Sequence, residues 1–257
     1  MSVDASRFVF SGHAIGAAAQ FHKLDKKKHL NHVVPALGSS VLPPTGGVSK
    51  ALVTDYHFEV PFPRRRSLLT VHRIETMAAG RMAGKQLETE TEATIESICV
   101  VDKLHIDLVY VHVLATRPAM NSAPTTSTKG NKIEGFHLGG VTAIIDLDDE
   151  PLAHCGTAAE FAAFHKERGA PLTDQNGIYT YSLVRNIRLK GPERERCRIH
   201  VQGNAIHWEN FGWIYLAEVI VRPQDRQVTM VRLQMGSDAG GSGTVGDGQS
   251  NGHVVTG

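Results

Sequence analysis

The chain has 257 residues, 41% of them apolar, and carries 27 basic against 26 acidic side chains. That is enough length and apolar content to bury a sizeable core, and the even charge excludes an overall field that would draw in nucleic acid or an anionic membrane. Cys99, Cys155 and Cys197 are too few and too scattered for a disulfide framework, a CxxC redox pair or a Cys-rich zinc site. No apolar run reaches the roughly 18 residues of a membrane-spanning helix, and the start MSVDASRFVFSGHAIGAAAQF lacks the basic-then-apolar order of a signal peptide. These features predict a soluble, cytoplasmic protein with no nucleic-acid partner.

In chain order, residues 7–21 form a first predicted strand with small residues around Gly12 and Gly16. A basic turn, KLDKKK, precedes VVPALGSSVLPPTGG, whose Pro and Gly residues allow a loop or at most an edge strand. LVTDYHFEV (52–60) and LLTVHRI (68–74) read as strands, with a Gly/Ala-rich turn at 77–85. The stretch from Gly84 to Ala115 then sets the fold class. Glu88, Glu90, Glu92, Thr94 and Glu96 share one parity, while Leu87, Thr89, Thr91, Ala93, Ile95, Ser97 and Cys99 share the other. Side chains on a strand point to opposite faces with period two, so the pattern predicts one acidic face and one partly apolar face. After a turn at 101–103, Leu104 to Leu114 is apolar at both parities, which predicts an inner strand covered on both sides.

NSAPTTSTKGN (121–131) is a candidate domain boundary, and residues 141–147 form a short apolar strand. One helix is predicted over about 157–168, with Thr157 as N-cap, Glu160 as its capping-box partner, and Gly169 and Pro171 beyond its end. Further strands are predicted at 178–189, 196–202, 208–221 and 227–235. Residues 236–257 contain eight glycines and no hydrophobic period, which predicts a flexible tail. The whole reads as a mainly β protein: an antiparallel sandwich or barrel of about ten to fourteen strands, one domain over 1–235, with a single short helix on the sheet.

No residue pattern defines an activity. GSGTVG (241–246) and GQSNG (248–252) match the dinucleotide and nucleophile-elbow patterns, but neither is followed by the helix that chemistry requires. The glutamate row offers oxygen ligands, yet rows of acids are more often solvated or paired across a sheet, here with positions such as Arg185, Arg188 or Arg196. His200, His207 and Glu209 form a two-histidine, one-carboxylate set for a divalent transition metal if the turn at Gly203-Asn204 folds His200 back. His105 has no converging neighbours in sequence. Cys155, just before the predicted N-cap, stands where helix N-H groups lower a thiol pKa, as a cysteine nucleophile needs. Trp208, Phe211, Trp213 and Tyr215 concentrate the aromatic content in one segment, as at a ligand site, a subunit interface or a sandwich core.

The leading expectation is a non-catalytic structural, self-assembling or binding protein without a cofactor, acting as a homo-oligomer or with a protein partner. The alternatives are a metal-dependent enzyme using the His/His/Glu set, a hydrolase using Cys155, and a β-type pore former. The last conflicts with the doubly apolar return strand and the dense glutamates.

Overall fold

Period-two stretches dominate the computed structural model, which describes residues 7–22, 31–60, 66–118, 124–148, 160–163, 166, 173–175, 178–209, 211–222, 225–236 and 240–255. Among the described residues two antiparallel sheets pack face to face as a sandwich, with no closed barrel. The strands are β1 Arg7–His22, β2 Asn31–Val41, β3 Gly47–Val60, β4 Arg66–Ala83, β5 Gln86–Val100, β6 Leu104–Arg117, β7 Thr125–Ser127, β8 Lys132–Leu138, β9 Val141–Leu147, β10 Thr173–Gln175, β11 Ile178–Ser182, β12 Val184–Lys190, β13 Ile199–Gln202, β14 Ala205–Trp208, β15 Gly212–Val221, β16 Asp225–Met235 and β17 Gly241–Val255. Sheet I runs β10-β11-β15-β16-β17-β1-β2, with β13 and β14 joined beside β15. Sheet II runs β12-β9-β8-β6-β5-β4-β3, with β7 on β6.

The central hairpin forms as its parity requires. Leu87, Thr89, Thr91, Ala93 and Ile95 of β5 are buried, and Glu88, Glu90, Glu92, Thr94 and Glu96 lie on the outer face. Glu88 and Glu90 pair with side chains of the neighbouring strands β4 and β6 rather than with the arginines of 185–198. Arg81 Nε donates to Glu88 at 2.8 Å, and His112 Nε2 lies 2.9 Å from Glu90. The Tyr110 phenol beside Glu92 and Glu90 is pushed up to about 12, first by burial and then by those carboxylates.

The alternation then drops one beat in each of β3, β4, β5, β6 and β8. Buried or core-packed positions lie three apart at Val53/Tyr56, Val71/Ile74, Ile95/Ile98, Ile106/Val109 and Ile133/Phe136. The residues between them fall in one register row, Asp55-His72-Ser97-Asp107-Gly135, since their flanking pairs keep constant register. Asp55, Ser97 and Gly135, on alternate strands of that row, have φ of 50°, 52° and 60°. This explains two departures from simple parity. Ser97 turns outward and Ile98 inward, and β6 has one buried face, Leu104, Ile106, Val109, Val111 and Val113, rather than two.

Sheet I bends along a matching row, Gly38-Gly16-Gly246-Met230-Ala217, with positive φ at Gly38, Gly246 and Ala217. Here the extra residue points inward, as in Gly16/Ala17, Met230/Val231 and Leu216/Ala217, all buried. One sheet drops its beat outward and the other inward, so both step the same way and stay nested. The contact is made by missing side chains: a Cβ on Gly16 or Gly38 would overlap Ile74 Cγ2, and one on Gly246 would lie 2.8 Å from Val109 Cγ1.

The predicted flexible tail is therefore corrected for residues 241–255. They form β17, hydrogen-bonded to β16 on one side and β1 on the other. Glycine-rich sequence serves as an inner strand because Thr91, Val111 and Val113 of sheet II fill the space above Gly248. The candidate boundary at 121–131 also carries structure, since Thr125–Ser127 pair with β6 and Asn131 is buried. The predicted strand 178–189 divides at buried Leu183, where the chain leaves sheet I for sheet II. Residues 193–196 form a short helix, so the strand predicted from Arg196 begins at Ile199 instead. Residues 160–163 and 166 of the predicted helix are helical, and Phe161 is buried against Tyr181 at 5.2 Å. Its N-cap Thr157 lies outside the described residues. Among the described residues no helix is long and apolar enough to cross a membrane.

Candidate functional site

Cross-strand register on the outer face of sheet I aligns the residues singled out in 200–215. His200 is opposite His207, His207 opposite Trp213, and Trp213 opposite Gln234. The rings follow one another: His200 and His207 are 6.3 Å apart at 14°, His207 and Trp213 4.7 Å at 42°, and Trp213 and Tyr215 6.2 Å at 22°. Arg232 lies 3.9 Å over the Tyr215 ring, a cation–π distance. Glu218 holds that guanidinium with two oxygens, at 2.5 and 2.8 Å, and this charge-assisted bond raises the Arg232 pKa further.

Beside the rings lies an open depression of about 500 Å³. Ala18, Gln20, Ser242 and Thr244 line it, bordered by Val33 and Arg232. Small side chains on β1 and β17 lower this part of the face, for the same compositional reason that thins the inner side.

The structure divides the predicted aromatic cluster. Trp213 and Tyr215 lie on the outer face, whereas Phe211 is buried and Trp208, stacked on it at 5.5 Å, packs against the core. It brings His200 and His207 together but does not close Glu209 with them, since Glu209 lies past the end of β14 and is exposed. Among the described residues one His/Cys/Asp/Glu trio has ligand atoms all within 4.8 Å of one another, and it is His105, Asp107 and His137 on sheet II. Cys155 lies outside the described residues. Burial raises the Cys99 thiol, the Asp102 charge adds to this and a hydrogen bond with the Asp102 backbone opposes it, and the net rise disfavours the thiolate a nucleophile requires.

A second surface is the edge where β2 and β3 end their sheets. Neither has a strand on its other side among the described residues. Of the seven large apolar side chains exposed among those residues, five lie on β2–β4: Val33, Val41, Val48, Leu52 and Met82, each 58–64% exposed. Pro35 and the bend at Gly38 interrupt β2. In β3 the stretch Gly47–Thr54 is uninterrupted and has one charged residue, Lys50.

These features define a mainly antiparallel β-sandwich with a ring-bearing outer face and an edge that is open among the described residues. Residues 8–168 match the family model described as "Domain of unknown function (DUF8256)"; this is more than half of the chain, which belongs to that family. The match takes in β1–β9, and so the histidine–aspartate trio, and stops short of the ring-bearing strands. No curated protein matches the chain.

Proposed function

We propose that this protein works by association rather than by chemistry, as a self-associating β subunit whose copies meet along β3. The observation carrying this reading is that edge. β3 is fourteen residues long, open on one side among the described residues, and flanked by most of the exposed apolar side chains. An unpaired row of backbone donors and acceptors is a template for another strand. Two identical edges meeting about a two-fold axis satisfy each other and bury Val48 and Leu52.

Sedimentation velocity over a concentration series tests it. The native chain is expected to dimerise, and Val48→Lys with Leu52→Lys to yield a folded monomer. Trp213→Glu, on the outer face of sheet I, is expected to leave the dimer unchanged. A native chain that stays monomeric at all concentrations removes the proposal. Dissociation by Trp213→Glu but not by the double lysine variant moves the contact to the ring-bearing face.

A further inference from the structure

We propose that His105, Asp107 and His137 bind a divalent first-row transition cation of the zinc type on the outer face of sheet II. The site is a two-by-two block of paired residues on neighbouring strands. His105 of β6 pairs with His137 of β8, and Asp107 falls opposite Gly135, two residues along. His105 and Asp107 are two apart and so share a face. The carboxylate leans across to β8 because Gly135 leaves room; a Cβ there would overlap Asp107 Oδ2.

Both imidazoles are held with one nitrogen toward that carboxylate and the other on a hydroxyl. His105 Nδ1 is 3.2 Å from Asp107 Oδ1, and its Nε2 is 3.3 Å from Ser97 Oγ. His137 Nε2 is 3.9 Å from Asp107 Oδ2, and its Nδ1 is 3.1 Å from Thr142 Oγ1. A hydroxyl on the far nitrogen holds the ring's orientation, as outer partners do at metal centres. Donors around a tetrahedral ion at about 2.1 Å stand roughly 3.4 Å apart, and one ligand atom from each residue here lies within 4.8 Å of the others, so side-chain rotation can bring them onto one ion. Two imidazoles and one carboxylate suit a borderline ion better than calcium or magnesium, which prefer all-oxygen shells. The half-exposed setting leaves the remaining coordination positions to water or a further ligand.

Equilibrium dialysis of the chelator-treated full chain against zinc chloride is the test, with X-ray absorption on the zinc-loaded protein. One zinc per chain is expected, with two imidazoles in its shell. Asp107→Asn and His137→Gln are expected to abolish binding, Thr142→Val to weaken it by about 10–100-fold, and His200→Ala with His207→Ala to leave it intact. A folded native chain that takes up no zinc overturns the site, as does binding retained in both Asp107→Asn and His137→Gln. If those variants fail to fold, an absorption spectrum of the native or His200/His207 double variant without imidazole ligands overturns it equally.

Discussion

The centres of the two sheets reach the same packing from opposite compositions. In sheet II, β5 and β6 present Ile95, Ile98, Ile106, Val109, Val111 and Val113 to the interior. In sheet I, β1 and β17 present mainly glycine and alanine: Gly12, Ala14, Gly16 and Ala17 facing one way along β1, with Gly246 and Gly248 beside them. One wall supplies the volume and the other the space. A strand with almost no apolar side-chain area is thus as integral to the core as its neighbour, provided the facing strand is bulky.

The most severe way to break this comparison is to remove one wall. Deleting residues 241–257 strips β17 from between β1 and β16 and uncovers Val109, Val111 and Val113, so loss of cooperative thermal unfolding is expected by calorimetry. A truncated chain melting like the native one would show that the glycine strand is dispensable. A smaller perturbation refills the space: Gly16→Val places methyl groups where Ile74 lies, at a cost of about 1–3 kcal/mol for overpacking. Ile74→Ala in the same chain is expected to recover much of that loss, and a double-mutant cycle by urea unfolding measures the coupling.

The smallest effect tests polar burial on the thinned wall. Asp247 of β17 is 9% exposed, with Gln227 Nε2 at 3.0 and 3.2 Å. Burial raises its pKa, and Gln227, His13 and Arg222 oppose this only in part. A carboxyl whose folded pKa lies above its unfolded value favours the fold while protonated. Its contribution is therefore lost as pH rises from the unfolded value through the folded one. Asp247→Asn is expected to flatten that decline and raise Tm modestly at neutral pH, as read from melts across an acid-to-neutral series.

What could be read from residues alone followed from where side chains carry the signal. Alternating glutamates in β5 gave the strand, its faces and its hairpin partner. The dropped beat at Ser97 was not legible, because serine takes positive φ here only in concert with Asp55 and Gly135 on other strands. The same slip made β6 look apolar on both faces. β17 was missed because a glycine strand owes its order to the opposite sheet. The Trp213/Tyr215 face was within reach, since those residues share a parity. The histidine–aspartate trio was half visible: His105-Ile106-Asp107 announces a same-face pair, but His137 joins it only through the β6–β8 register.

The adjacency of β1 and β17 has a consequence for biogenesis. Arg7 pairs with Val255, so β1 lacks its partner on one side until β17, the latest in chain order of the described strands, is available. Until then the apolar inner faces of β5 and β6 that meet β17 are without that cover. Pairing across so long a sequence separation is slow, so completion of sheet I is expected to trail the local β3–β6 meander of sheet II.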